Sequence, residues 1–265
     1  VFQSFREWVK AVLPVGVLRW LRDRRRAGQE RLLARMTPEQ VFTEIYARNA
    51  WGGAAGEFSS GSGTRSEAIV GPYVATIARL AAARGFEGGR FVDLGCGDFR
   101  VGERLLPLCS SYIGVDVVRG LIEHNTDRFA SEKTSFVAID IVRDPLPPGD
   151  VCFIRQVLQH LSNDEIRRIL PKLRDYSHVF ITEHHPGPGR PVVPNIDKVH
   201  GADVRAAFGS GVYLDEPPFS LPKGSLELVL EVPGAGLGAS ADQGFIRTFH
   251  YTPSRSSRSA QGASS

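Results

Sequence analysis

No run of apolar residues in this chain approaches the roughly 18 that a membrane span requires. Cysteine is scarce too. Cys96, Cys109 and Cys152 are the three present, an odd count without ligand-like spacing, which reads as reduced, buried thiols in a cytoplasmic protein. A large charge of one sign is also missing: 32 Lys and Arg against 29 Asp and Glu leave +3, too little to argue for a nucleic-acid partner. Val1 to Arg26 lacks the pattern of a secretory leader, because Lys10, Pro14 and Arg19 interrupt its apolar stretch and no small-residue cleavage site follows.

What excess charge there is sits at the start. Residues 1–36 hold nine Lys/Arg and three Asp/Glu, a net of +6, so the remaining residues carry −3 of the total of +3. Phe5, Trp8, Val9, Val12 and Leu13 recur at helical spacing ahead of the basic run Arg22 to Arg26. Residues 1–26 read either as an amphipathic helix making peripheral contact with an anionic membrane, or as a docking or dimerisation helix with a solvated basic end. Nothing in the pattern specifies an oligomeric state. An apolar content of 42% over 265 residues suits one substantial globular domain with additions, or two small ones.

A second helix is expected from Thr37-Pro38-Glu39-Gln40 to about Asn49, since Thr37 can cap, Pro38 suits the first helical position and Gln40 completes a capping box. Trp51-Gly52-Gly53 and Ser59-Ser60-Gly61-Ser62-Gly63 then read as a mobile glycine-serine loop, so residues 1–65 form a helical extension with a lid. Ser66 starts a third helix through Ile69, Tyr73, Ile77 and Leu80, ending near Gly85. From Arg90 the pattern alternates. Strands are expected at 91–94, 112–116, 135–140, 150–155 and 178–183, with helices at about 100–108, 118–130 and 163–175, the last capped by Ser162 or Asn163. Such alternation predicts an α/β fold, a Rossmann-like doubly wound parallel sheet. After Glu183 a Pro/Gly-rich segment, 185–224, precedes two strand-like runs, 225–232 and 244–252, read as an antiparallel pair at the sheet edge. Residues 253–265 are Ser-rich and expected to be disordered.

In doubly wound sheets ligands bind beyond the carboxyl ends of the strands. Here the first strand ends in Asp93-Leu94-Gly95-Cys96-Gly97, where glycines permit close backbone approach. A dinucleotide fingerprint would need a third glycine where Arg100 stands. The second strand ends in Asp116, able to accept from two ribose hydroxyls or merely to cap the next helix. The third ends in Asp140-Ile141, whose carboxylate can take an adenine amino group while Ile141 and Val117 enclose the ring. Three carboxylates at three successive strand ends weigh against simple capping.

Val92-Asp93-Leu94-Gly95-Cys96-Gly97 resembles the first motif of the class I S-adenosylmethionine-dependent methyltransferases. Tyr112-Ile113-Gly114-Val115-Asp116 is similar to their second, Asp140-Ile141 to their adenine motif, and Val157-Leu158-Gln159-His160-Leu161 to their segment after strand four. The resemblance covers about residues 66–184. It implies a seven-stranded sheet with an antiparallel last strand, a methyltransferase domain over 66–252, and S-adenosylmethionine bound by Ser60, Arg65, Asp93, Gly95, Gly97, Asp116, Val117, Asp140, Ile141 and Arg155. The flanks, Tyr46 to Gly52, Ser60 to Gly63, Thr182-Glu183-His184, Asn195-Ile196-Asp197-Lys198 and Ser210 to Leu214, resemble bacterial sugar O-methyltransferases, including those of mycobacterial methylmannose polysaccharide synthesis. That implies a saccharide or glycosylated small molecule as acceptor.

A sugar hydroxyl is a poor nucleophile until it loses its proton, so a general base or a metal must act. His160, just after strand four, is the best-placed base; the alternative is that it only packs beneath the cofactor. Glu183 and His184 end strand five and are the other catalytic candidates. With His185 they could hold an acceptor hydroxyl, or join Asp197 or Asp215 around a divalent ion such as magnesium. Trp51, Gln156, His185 and Tyr213 are the candidate acceptor contacts, with 185–224 as the acceptor wall. Glu216-Pro217-Pro218-Phe219 resembles the motif of base N-methylating enzymes but falls far from the end of strand four, where that motif must lie. The competing readings are a lipid or natural-product hydroxyl or carboxyl methyltransferase, and a non-catalytic S-adenosylmethionine-binding module.

Overall fold

The computed structural model describes residues 24, 28, 30–54, 56–187, 191–222, 224–234 and 244–253. Residues 1–37 form a unit of their own, in which 30–33 are helical. The expected basic helix over 1–26 and the tail beyond Pro253 lie outside the described residues, apart from Arg24. Among the described residues no helix is long and apolar enough to cross a membrane.

The second unit begins with α1 (Pro38–Ala47) and α2 (Glu67–Arg84). Proline at the start of α1 suits its first turn, and α2 stops at Gly85, whose φ of 69° gives the left-handed turn that ends many helices. The sheet strands are β1 (Gly89–Leu94), β2 (Cys109–Asp116), β3 (Thr134–Ala138), β4 (Val151–Arg155), β5 (His178–His185), β6 (Leu226–Pro233) and β7 (Phe245–Tyr251). α3 (Arg119–Phe129) and α4 (Asn163–Ile169) are the crossover helices. Strand order is β3-β2-β1-β4-β5-β7-β6, parallel from β3 to β5, with β7 antiparallel to both β5 and β6. The expected Rossmann-like, seven-stranded sheet with an antiparallel last strand is therefore present.

Central strands are buried on both faces, so their sequences read as apolar runs. Alternate residues then divide between two cores. Val92, Cys152 and Val179 face α4 with Ile166, Ile169 and Leu173. Phe91, Phe153 and Phe180 face α2 with Tyr73, Ile77 and Leu80, and the Phe153 and Phe180 rings stack at 5.6 Å. The edge strand β3 alternates between buried and exposed positions, as a half-covered strand should.

Three expected elements differ in extent. The helix expected at 100–108 is a 3-10 segment, Gly102–Leu108, with Pro107, which lacks an N–H, in its last turn. The helix expected to reach 175 tightens to 3-10 geometry at Leu170, one residue before Pro171. β3 stops at Ala138, short of Asp140, whose carboxylate instead accepts from the Val142 amide at 2.9 Å and turns the chain.

Among its described residues segment 185–224 has one short 3-10 turn, Arg205–Phe208, and is held by side chains. Asn195 accepts from the Tyr213 amide at 2.8 Å and donates to the carbonyls of Tyr213 at 2.8 Å and Pro217 at 2.9 Å. Of the two expected caps for α4, Ser162 is the one used. Its hydroxyl accepts from the Glu165 amide at 3.3 Å while Glu165 accepts from the Ser162 amide at 2.8 Å. Ser162→Ala should cost about 1 kcal/mol, read as a lowered urea midpoint with unchanged slope; an unchanged midpoint would deny the cap any part in stability.

Candidate active site

A cavity of about 400 Å³ opens beyond the carboxyl ends of β1, β2 and β4, within the ~300–1,000 Å³ range of small-molecule sites. It lies where connections from β1 and β4 leave in opposite directions, the switch point of the sheet. The turn after β1 forms its floor. The amides of Gly95 and Cys96 both donate to the Val115 carbonyl, at 2.7 and 2.9 Å. Gly95 and Gly97 have φ of 80° and 55°, which side chains rarely adopt. A Cβ at Gly95 would collide with Val157, and one at Gly97 with Ser60.

Asp116 ends β2 and ties this turn to the start of α3: its carboxylate accepts from Gly97 N at 3.2 Å and Val118 N at 3.1 Å. The capping alternative and the cavity-lining one thus hold together, since Asp116 also faces the cavity with Val117, Asp140 and Ile141. Burial raises its pKa, against the pull of the neighbouring amides. Asp93, at the end of β1, is buried and pushed up to about 6 by desolvation, which the Tyr112 hydroxyl at 2.5 Å and Arg155 partly offset. Arg155 donates to the Gly63 carbonyl at 3.0 Å and lies 5.5 Å from the centre of the Tyr73 ring. Its buried Nε has no hydrogen-bond partner among the described residues.

The glycine-serine loop docks directly on this floor. Ser60 N donates to Asp98 at 3.2 Å, the Asp98 amide donates to Ser60 Oγ at 2.8 Å, and the Tyr46 hydroxyl lies 3.0 Å from the same oxygen. Asp98, Tyr46, Phe42 and Gln159 line the cavity and were not among the expected site residues. Asp98 directly follows Gly97, so its position was the available signal; Phe42 and Tyr46 are placed by α1.

The far end of the cavity is walled by Phe42, Trp51, Gln156, Gln159, His160 and His184. Gln156 has a φ of 57°, a strained conformation for this residue type of the kind that gathers at functional sites. The His160 ring lies 5.2 Å from Trp51. Its Nδ1 is 3.1 Å from the Gly201 carbonyl, which can only accept, so Nδ1 carries the proton and Nε2 keeps a lone pair. Gln159 Nε2 donates to that lone pair at 3.3 Å. Burial, aided by the Lys198 charge, pushes the His160 pKa down to about 4.

Four expected site residues stand elsewhere. Glu183 is 1% exposed and does not line the cavity; its two oxygens accept from Leu158 N at 2.8 Å and Gln159 N at 3.1 Å. Burial raises its pKa, while those two amides, with an N–H facing each oxygen, favour the ionised carboxylate. It therefore does not face an acceptor as a catalytic group would. The His185 ring nitrogens lie 3.2 and 3.1 Å from the carbonyls of Glu183 and Val212, to one of which the neutral ring donates, and Tyr213 packs edge-on against it at 5.0 Å; neither residue lines the cavity. Alternation along β5 leaves His184 as the member of its cluster that faces the site. Arg65 is an exposed partner of Glu57 at 2.9 Å and not a cavity residue. Among the described residues no group of three or more His, Cys, Asp or Glu could hold a metal ion. Asp197, a suggested ligand, accepts from the Asn163 and Lys198 amides at 2.8 and 2.9 Å. The magnesium expectation has no donor set here.

A histidine with a lowered pKa binds its proton more weakly folded than unfolded, so its stabilising effect is complete above pH ~6.5 and is lost as pH falls toward the folded value. For His160 that window runs from the unfolded ~6.5 down to about 4. Relative to wild type, His160→Gln should recover about 2–3 kcal/mol of the stability lost between pH ~7 and ~4.5. Urea unfolding across that range checks it; parallel pH profiles would contradict the assigned buried, neutral ring.

A family model described as a methyltransferase domain matches residues 92–175, which run from β1 almost to β5. A search of curated proteins finds no match. Among solved structures, the 1,6-didemethyltoxoflavin-N1-methyltransferase of Burkholderia thailandensis, with 1,6-didemethyltoxoflavin and S-adenosylhomocysteine bound, is 17% identical with a TM-score of 0.52, covering 81% of this chain and 87% of its own. The magnesium protoporphyrin IX methyltransferase of Synechocystis is 14% identical with a TM-score of 0.48, over 83% of this chain and 98% of its own. The N-methyltransferase NodS of Bradyrhizobium japonicum is 17% identical with a TM-score of 0.46, over 68% and 85%. At 17% identity the likeness to the Burkholderia enzyme is one of fold.

Proposed function

We propose that this chain, whose residues 92–175 match a methyltransferase-domain model, is a class I S-adenosylmethionine-dependent methyltransferase that transfers the methyl group to a hydroxyl of a saccharide or glycosylated small molecule, with His160 as general base. The residues of the cavity suit the cofactor. Asp116 would take the ribose hydroxyls, Asp140 the adenine amino group between Ile141 and Val117, and the glycine turn with Ser60 and Asp93 would cradle the methionine part. The unpartnered Nε of Arg155 supplies a buried donor for a carboxylate. When bound, the cofactor provides an electrophilic methyl on a sulfonium.

One observation carries the hydroxyl reading: His160 lines the cavity beside Trp51 as the Nδ1–H tautomer, and its Nε2 lone pair is taken by the Gln159 side chain, which lines the same cavity. A hydroxyl replacing Gln159 on that lone pair would give its proton to Nε2 while its oxygen bonds to the methyl carbon and the carbon–sulfur electron pair returns to sulfur. A pKa of about 4 makes a weak base, but an alkylated hydroxyl is a strong acid, so a late proton transfer suits it. Trp51 and Phe42 offer aromatic faces for the C–H side of a sugar ring, with Gln156 and His184 as polar edges. The resemblance of the flanks to sugar O-methyltransferases supports the same acceptor class. Residues 51–65, latched through Ser60 and Asp98, would act as the lid that excludes water.

Asp116→Ala should weaken S-adenosylmethionine binding at least about tenfold in calorimetry, with cooperative unfolding retained; an unchanged affinity would sink the ribose assignment. His160→Ala should bind the cofactor with near wild-type affinity and lose about 10²-fold or more in turnover. The acceptor class is tested by labelled-methyl transfer to neutral oligosaccharides, glycolipids, phenols, amines and carboxylic acids. Transfer confined to amines or carboxylates would overturn the hydroxyl reading, and transfer confined to phenols would overturn the saccharide one.

A further inference from the structure

Resting on the reading of His160 as the base, we propose that Glu183, aided by Arg205, is the positioning residue that fixes the Leu158–Leu161 turn and so holds the His160 ring in its reactive orientation. The turn has no regular secondary structure beyond one 3-10 step, Leu158–His160, so its backbone groups must be satisfied from outside. Glu183 does this from β5. One oxygen takes the Leu158 amide at 2.8 Å and the other the Gln159 amide at 3.1 Å. The next residue on β5 completes a second grip, since the His184 amide donates to Gln159 Oε1 at 3.3 Å, which turns the other end of that side chain toward His160 Nε2.

The opposite side of the turn is held by segment 195–205. Arg205 is 1% exposed and donates to the Leu161 carbonyl at 2.6 Å and to the Ile196 carbonyl. Lys198 donates to the His160 carbonyl at 3.2 Å, and Gly201 offers the carbonyl that fixes the ring tautomer. A carboxylate below and a guanidinium above thus close on one turn, each buried and each acting on backbone atoms. Such ions are expensive to bury without partners, and a catalytic ring needs its orientation set by a second group, as carboxylates and carbonyls set histidines elsewhere. Glu183 therefore acts through His160 and touches no substrate.

The test reads the ring itself and needs no acceptor. Long-range ¹H–¹⁵N spectra of ¹⁵N-labelled protein are recorded with S-adenosylhomocysteine present, from pH ~8 to ~5, the His160 signals being those absent from His160→Gln. In wild type the ring should remain the Nδ1–H tautomer throughout. Glu183→Gln keeps the shape but turns one acceptor into an N–H₂ facing an N–H. It should unfold cooperatively and bind S-adenosylhomocysteine within about threefold of wild type. Its His160 should show both neutral tautomers where wild type shows one, and Glu183→Asp, which keeps two acceptors, should fall between. A folded Glu183→Gln whose His160 spectrum matches wild type overturns the proposal. If that variant does not fold, Arg205→Lys is read by the same spectrum, and an unaltered ring overturns the proposal equally. Full methyl transfer by His160→Gln would instead refute the base reading, an outcome separate from the ring measurement.

Discussion

Two missing side chains make this site possible. The backbone at Gly95 lies where any Cβ would meet Val157, and at Gly97 where one would meet Ser60. Through the first contact the turn after β4 closes on the turn after β1. Through the second the loop around residue 60 closes on both. These contacts come from distant parts of the chain, and each requires bare backbone at the switch point of the sheet. The cavity is the space left between three segments that meet there, and the carboxylates at the ends of β1, β2 and beyond β3 are brought around it by the parallel register of the sheet.

The carboxylates around the cavity and beneath it are committed to partners within the protein. Asp116 serves two backbone amides while facing the cavity, Asp98 is paired with Ser60 and Arg100, and Glu183 serves two amides below it. A buried charge without partners would cost several kcal/mol and would neutralise instead. Among the described residues Arg155 and Arg205 each keep a buried Nε without a partner, and of the two only Arg155 lines the cavity. The polar frame thus leaves that donor and a short aromatic wall facing the cavity. This arrangement agrees with preorganisation, in which fixed dipoles do not have to reorganise during reaction.

Most of the architecture was legible from pattern. Strand positions followed from apolar runs, because strands covered on both faces have no polar alternation. The edge pair β6–β7 followed from the loss of helix-forming segments after β5. The cofactor half of the site was legible for the same reason: in a parallel sheet, residues at the carboxyl ends of successive strands must converge. Less legible was the cluster Glu183-His184-His185. Three polar residues at a strand end look like a catalytic group, yet β5 continues to His185, so pleating sends His184 one way and its neighbours the other. Tyr213 and Arg65 were misplaced similarly, since their positions depend on how irregular segments pack and no periodicity encodes that.

By itself the sequence determined the local chemistry: bare backbone after β1, carboxylates at the following strand ends, a histidine in the turn after β4, and the parallel sheet expected of alternating elements. These are properties of short segments and of a sheet whose geometry allows few alternatives. Only the tertiary structure decided which polar side chains face the cavity and which hold the frame. Glu183 illustrates the difference. Whether its carboxylate meets a ligand or two backbone amides depends on where the turn from β4 passes relative to β5, and that is set by packing between segments that share no sequence pattern.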